Sequence, residues 1–285
     1  MSPADWEDWV KSGGAPERLQ MRQAVHLILI AVSECDSIKQ SMFMKGGMLM
    51  AIAYDSSRYT RDIDFSTRSA FADGDDIKLR SEMEEALAVA VAESEYGIDC
   101  RVQSAVLKPK SETNPSFPTL KVKVAYAVSD NSKRHQRLIG GMSSDVVELD
   151  FSFNETTQTT TSLQVTDGSA IFRYSLADLV AEKYRSLLQQ PIRKRNRRQD
   201  VYDIHWLLQK ERVELDRRKP EIKSALEQSA KARSIHISKD AIRDPLVIKM
   251  ASEEYAGLAQ EIDGVLPEFD VAFDAVAAFY EGLGW

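Results

Sequence analysis

The stretch that most restricts how this chain can fold runs from Met44 to Phe65, MKGGMLMAIAYDSSRYTRDIDF. Two adjacent glycines there precede a short apolar run, a polar loop and the tripeptide Asp62-Ile63-Asp64. Successive side chains of a strand point to opposite faces, so Asp62 and Asp64 share one face while Ile63 and Phe65 turn into a core. Two carboxylates on one face repel unless a cation sits between them. A hard divalent cation, usually magnesium bridging to substrate phosphates, is the commonest reason to hold such a pair. Gly46 and Gly47 would supply the complementary half. Backbone without Cβ atoms can approach a phosphate closely, here beside the start of a helix predicted over residues 48–54. Taken singly, a glycine pair is often only a turn and D-x-D often only a solvated strand. Together they read as a nucleotide and metal site.

The elements around this stretch follow from periodicity and punctuation. Ser2 can cap a first helix with Pro3 at its first position, and a second helix from Pro16 carries Leu19, Val25, Ile28, Leu29 and Val32 on an apolar stripe. Residues 42–44 form a short strand that delivers the chain to Gly46. The polar run at residues 72–76 opens a helix that Gly97 ends. Residues 98–107 and 119–128 read as strands joined by a proline-bearing surface connection, and in the second of them Leu120, Val122, Val124 and Tyr126 alternate with Lys121 and Lys123. Residues 145–153 place Val147, Leu149, Phe151 and Phe153 on a core face, which leaves Glu148 and Asp150 together on the other. The threonine-rich residues 155–166 suit a hairpin or edge strand.

Composition changes after Ser169, and from Ser175 onward the pattern is helical, with helices expected near residues 176–190, 198–210, 220–232, 239–262 (broken at Pro245) and 267–282. This divides the chain into domains 1–170 and 171–285. In the first of these helices Lys183 falls inside a stripe of Leu176, Leu179, Val180 and Leu187. Burial there requires an anion at its ammonium, a carboxylate or a phosphate, unless the head reaches water. The next helix carries Asp200 and Asp203, three residues apart on neighbouring positions of one face.

The order strand, glycine pair, short helix, R-x-T-x-D-I-D resembles the nucleotidyltransferase fold of the DNA polymerase β type. In finer detail Lys45, Gly46, Gly47, Leu49, Arg58, Thr60, Asp62, Ile63, Asp64 and Phe65 are similar to the signature of the AbiEii/AbiGii nucleotidyltransferase toxin family. The segment SLADLVAEKYRSLLQQPIRKRNRRQDVYDIHWLL resembles that family's second signature, a lysine-bearing helix followed by a basic loop and an R-D-x-Y-D-L helix. Gln199 interrupts Arg and Asp, so either Asp203 or Asp200 takes the family's catalytic position.

The resemblance implies an α/β (α+β) polymerase β-like domain with a mixed sheet. An all-helical domain would follow and complete an active-site cleft holding NTP and Mg2+. It implies transfer of a nucleoside monophosphate to a hydroxyl with release of pyrophosphate. Asp62, Asp64 and a third carboxylate, Asp150 or alternatively Glu148, would bind metal, and Asp150 would help activate the hydroxyl. Gly46, Gly47, Thr60 and Arg58 would meet the triphosphate, though Arg58 could instead brace its loop. Lys183 would neutralise phosphate charge, oriented by Asp203 or Asp200. It further implies a toxin of a toxin-antitoxin or phage-defence pair, with a separately encoded antitoxin and tRNA as acceptor. The alternatives are a same-fold enzyme acting on a protein or small molecule such as an antibiotic, and a non-catalytic nucleotide- or RNA-binding module.

Composition bounds the rest. With 285 residues, 43% hydrophobic and 28% charged, the chain suits a globular protein with real cores. A net charge of -7 argues against coating nucleic acid through bulk positive charge, yet Arg193 to Arg198 reads RKRNRR, a local patch that could track an RNA backbone. No apolar run approaches the roughly 20 residues of a membrane span, and MSPADWEDWV has no signal-peptide core, so a cytoplasmic protein is expected. Cys35 and Cys100 lack metal-ligand spacing, and His205 lacks a second ligand, so none of the three reads as a zinc site.

Overall fold

The computed structural model describes residues 3–109, 117–155 and 159–285, and Ser2 and most of the expected proline-bearing connection lie outside them. The chain opens with α1 (Pro3–Lys11) and α2 (Pro16–Glu34). It continues through β1 (Phe43–Lys45), α3 (Gly46–Ala53), β2 (Asp62–Ser66), α4 (Asp75–Glu93), β3 (Ile98–Lys108) and β4 (Thr119–Val128). Then come α5 (Lys133–Ile139), β5 (Val146–Ser152), β6 (Thr160–Gln164) and β7 (Ala170–Tyr174). The remainder is helical: α6 (Leu176–Arg193), α7 (Arg198–Lys210), α8 (Arg212–Arg217), α9 (Lys219–Ala232), α10 (Pro245–Ser252) and α11 (Phe269–Glu281), with 3-10 turns at Ala241–Arg243 and Tyr255–Gln260. Among the described residues no helix is long and apolar enough to cross a membrane.

The chain divides into two compact units. The first comprises Met1–Leu49, Arg61–Glu155 and Thr160–Arg173, and the second Met50–Thr60, Thr156–Thr159 and Tyr174–Trp285. The first unit is built on a mixed seven-stranded sheet in the order β3-β4-β5-β2-β1-β7-β6. β2 runs parallel to β5 and β1 parallel to β7, while β1–β2, β3–β4 and β4–β5 are antiparallel. Alternation along the central strands decides which face is dry: Ile63 and Phe65, Leu149 and Phe151, and Leu120 and Val122 are all fully buried. Phe65 stacks on Phe151 with ring centroids 5.1 Å apart. α2 packs on β3, β4 and β5 and against α4.

Two elements of this unit were not expected. β7 is a five-residue segment lying beyond the expected boundary at 170, and its order comes from pairing with β1, some 130 residues distant in sequence. α5 has a mostly charged sequence without an apolar stripe. It forms because Ser132 caps it by accepting from the His135 N–H, and because Leu138 inserts into a cluster with Ala125 and Ala127. The second unit is helical, with Tyr184 fully buried and donating to the Val276 carbonyl at 2.8 Å. The helix expected over residues 239–262 is instead one short helix between two 3-10 turns. Pro245 opens that helix at its first position, and Asp244 caps it by accepting from the Leu246 N–H.

Candidate active site

In the first unit, strand register turns the sequence motif into an array. Asp64 lies opposite Lys45 on β1 and opposite Asp150 on β5, and Asp150 in turn lies opposite Lys121 on β4. One rung above, Asp62 lies opposite Glu148, and Glu148 opposite Lys123. The polar face therefore carries two cross-strand rows, Lys45–Asp64–Asp150–Lys121 and Asp62–Glu148–Lys123. Lys121 Nζ donates to Asp150 Oδ2 at 2.5 Å, and Lys123 Nζ stands 2.7 Å from Glu148 Oε1. Asp62 is exposed, Asp64 and Asp150 are half-buried, and Lys45 is buried. The alternation of Lys121 and Lys123 was visible in the sequence, whereas their carboxylate partners appear only once β4 and β5 are paired.

Gly46 meets this array directly. Its φ of +74° is a left-handed conformation that glycine adopts without penalty, and a Cβ at this position would lie 2.1 Å from Asp64 Oδ2. Glycine is thus required twice, by the backbone and by the carboxylate beside it. Gly47 follows it in the first turn of α3, half-buried.

The donor set suits a hard divalent cation. Asp64 and Asp150 offer carboxylate oxygens in register, and Asp150 Oδ1 is buried without a hydrogen-bond partner. Among the described residues no three His, Cys, Asp or Glu side chains form a ready cage.

The second unit holds a buried ionic quartet. Lys183, on the inward face of α6, donates to Asp203 Oδ2 at 2.6 Å and to Asp200 Oδ1 at 3.2 Å, both aspartates lying on α7. Arg58 grips Asp203 with a two-pronged contact, Nε to Oδ1 and Nη2 to Oδ2, each 2.9 Å. Asp203 is fully buried and Lys183 is 6% exposed. Burial by itself would raise the Asp203 pKa, but Arg58 and Lys183 together outweigh it and bring it down to about 2. Burial likewise pushes Lys183 down, and Asp203 and Asp200 more than restore it, leaving its pKa raised. Arg197 Nε stands 3.7 Å from Asp200 Oδ2, an oxygen that is buried without a hydrogen bond.

Arg58 belongs to the segment Met50–Thr60, which runs in sequence from the glycine helix to the D-I-D strand and is part of the second unit. That unit holds it at several points. The Trp206 indole donates to the Tyr54 carbonyl, Ser57 Oγ pairs with the Tyr202 hydroxyl at 2.9 Å, the Tyr59 N–H donates to the Glu261 carbonyl, and the Asp263 N–H donates to the Ser57 carbonyl. Thr60 ends the segment, half-buried. Of the residues singled out in the sequence, Gly46, Asp62, Asp64 and Asp150 lie together in the first unit, and Arg58, Lys183, Asp200 and Asp203 in the second. Arg58 is paired with Asp203, and Lys183 meets both Asp200 and Asp203.

Comparison with known proteins adds a family and a fold. The family described as nucleotidyl transferase AbiEii toxin, type IV toxin-antitoxin system, matches residues 28–278. Among solved structures, a putative nucleotidyltransferase from H. pylori is similar at a TM-score of 0.54 and 13% identity, covering 94% of this chain and 95% of its own. MenT4, a nucleotidyltransferase toxin from Mycobacterium tuberculosis, is similar at a TM-score of 0.51 and 13% identity, covering 98% of this chain and 89% of its own. At these identities the likeness is one of fold. No curated protein sequence matches.

Proposed function

Because this chain belongs to the AbiEii nucleotidyl transferase toxin family of type IV toxin-antitoxin systems, we propose that it transfers a nucleoside monophosphate from an NTP to a hydroxyl of an RNA acceptor, of the tRNA class, releasing pyrophosphate. Family membership brings with it a nucleotide substrate, a divalent metal and an antitoxin partner. The observation that carries the reading is the approach of Gly46 to Asp64, where a Cβ would lie 2.1 Å from the carboxylate oxygen. Backbone open to a phosphate and a carboxylate suited to a cation meet at one point.

Asp62 and Asp64 would hold a magnesium ion, with Asp150 as the third carboxylate. When bound, such an ion supplies neutralisation and alignment of the triphosphate. Gly46 and Gly47 would present main-chain N–H groups to the phosphates. Asp150, whose Oδ1 has no hydrogen bond of its own, would accept the proton of the attacking hydroxyl while Lys121 holds the other oxygen. The Lys183–Asp203–Arg58 chain ties the Met50–Thr60 segment into the second unit.

Incubation of the purified chain with each labelled NTP, magnesium and total tRNA tests the reading. Label should enter an RNA band, and Asp62→Ala or Asp64→Ala should abolish it without unfolding the chain. Label on protein or on a small molecule would move the acceptor to another class, and equal labelling by the variants would remove the carboxylates from the site.

A further inference from the structure

We propose that Phe43 and Phe172 form a stacking platform for a nucleobase, on the same face of the sheet as the carboxylate rows. Along β1, Phe43 and Lys45 share a face, while Met44 between them turns to the dry side with Phe65, both fully buried. Pairing places Phe43 opposite Ser66 on β2 and opposite Phe172 on β7. Ser152 on β5 lies opposite Ser66, and Thr119 on β4 opposite Ser152. One rung along from Lys45–Asp64–Asp150–Lys121, the face therefore carries the row Phe172–Phe43–Ser66–Ser152–Thr119. This row holds rings and hydroxyls and no charge.

The row opens at its ring end. Ser66 is fully buried and Phe43 half-buried, whereas Phe172 is 37% exposed, and among the described residues it is the one aromatic side chain that is exposed. The two rings stand 6.0 Å apart between centroids and are tilted by 45°, a contact that orients Phe172 and leaves part of it uncovered. Strand spacing and rise set Phe43 about 8 Å from Asp64 between Cα atoms, and Phe172 about 12 Å, distances that one nucleotide bridges from phosphate to base. An aromatic side chain on a sheet face, beside groups that hold phosphate, is a general way for a sheet to bind a base, because every base has a π-face to stack. Charge and ring are thus divided along this face as a nucleotide divides them.

The inference rests on the reading that this face binds nucleotide, and the base is that of the NTP or that of the acceptor RNA. Binding is therefore measured without turnover, in two arms. The full chain and its Phe172→Ala, Phe172→Leu and Phe172→Trp variants are titrated with each NTP and with inorganic tripolyphosphate in magnesium, and separately with a labelled single-stranded RNA oligonucleotide. Melting curves verify that all four fold. In at least one arm Phe172→Ala should bind about tenfold more weakly, within the usual worth of one base–aromatic stack. Phe172→Leu keeps apolar bulk without a ring and should bind as weakly, while Phe172→Trp should restore the affinity. Tripolyphosphate has no base and should bind all four chains alike. Loss in the NTP arm assigns the platform to the substrate's base, and loss in the RNA arm to the acceptor's. Affinity unchanged in both arms, or Phe172→Leu binding as tightly as wild type, would overturn the proposal and leave the ring pair as a cross-strand contact. Equal loss for tripolyphosphate would overturn it as well, by placing Phe172 against phosphate rather than base. Because tripolyphosphate reports the metal and phosphate site by itself, failure of the platform and failure of that site are read apart.

Discussion

Lys183 is tolerated among Leu176, Leu179, Val180 and Leu187 because two carboxylates meet its ammonium, and they in turn are tolerated because two cations meet them. The quartet of Lys183, Arg58, Asp200 and Asp203 is neutral as a set, so its members are not independently replaceable. Lys183→Met keeps the stem's volume but leaves Asp200 with only the 3.7 Å contact to Arg197. It should cost about 3 kcal/mol of stability in denaturant unfolding, the lower end for breaking a buried pair, because Arg58 still holds Asp203. Adding Asp200→Asn restores charge balance and should recover a large part of that loss. A double variant no better than the single one would refute the coupling. The same network dictates an acid limb. The Asp203 pKa is lowered from its ordinary value to about 2 in the fold. Its contribution is therefore fully present above about pH 4 and is lost as pH falls through about 2. Asp203→Asn should be less stable than wild type at neutral pH, and the gap should close across that window. A gap independent of pH between 5 and 2 would contradict the assigned ionisation.

Among the elements, the Met50–Thr60 segment shows how far a sequence can be read. The D-I-D strand, the alternating strand at Thr119–Val128 and the helix at Arg198–Lys210 were legible because period and punctuation are local properties. Register is not local. That Asp150 lies beside Asp64, and that Lys121 closes on it, depends on pairing across residues 64, 121 and 150, which no window of sequence contains. β7 escaped for the same reason, being ordered by β1 rather than by its own five residues. The role of Arg58 was ambiguous because a cation in a glycine-to-aspartate loop can serve either a phosphate or a carboxylate, and only the fold supplies Asp203. If the clamp is what holds this segment, Arg58→Leu should raise amide hydrogen exchange over residues 50–60 by an order of magnitude or more. Protection of the strands of the sheet should stay as in wild type. Unchanged exchange in the segment would show that Trp206, Tyr202 and the main-chain contacts suffice.

For the molecule as a whole, the useful fact is that its four tryptophans are divided between the units, Trp6 and Trp9 in the first and Trp206 and Trp285 in the second. Trp6 is fully buried and stacks on His26 with ring centroids 4.7 Å apart, so its emission reports the packing of the unit that carries Asp62, Asp64 and Asp150. With Trp206 and Trp285 replaced by Phe, thermal melting followed by tryptophan fluorescence reads that unit. A ligand that binds only the folded form stabilises it by RT ln(1 + [L]/Kd), about 2.7 kcal/mol at a hundredfold excess over Kd. Magnesium and the preferred NTP together should therefore raise this transition by several degrees, and either alone by less, since the ion needs phosphate oxygens to complete its shell. Asp64→Asn, placed in this background, removes the charge of the carboxylate that Gly46 approaches. Its ligand-free transition should fall somewhat, since Asp64 lies opposite buried Lys45, while the shift produced by magnesium and nucleotide disappears. A shift of undiminished size would mean that the nucleotide is held elsewhere, and would take the glycine pair and the D-I-D strand out of the active site together.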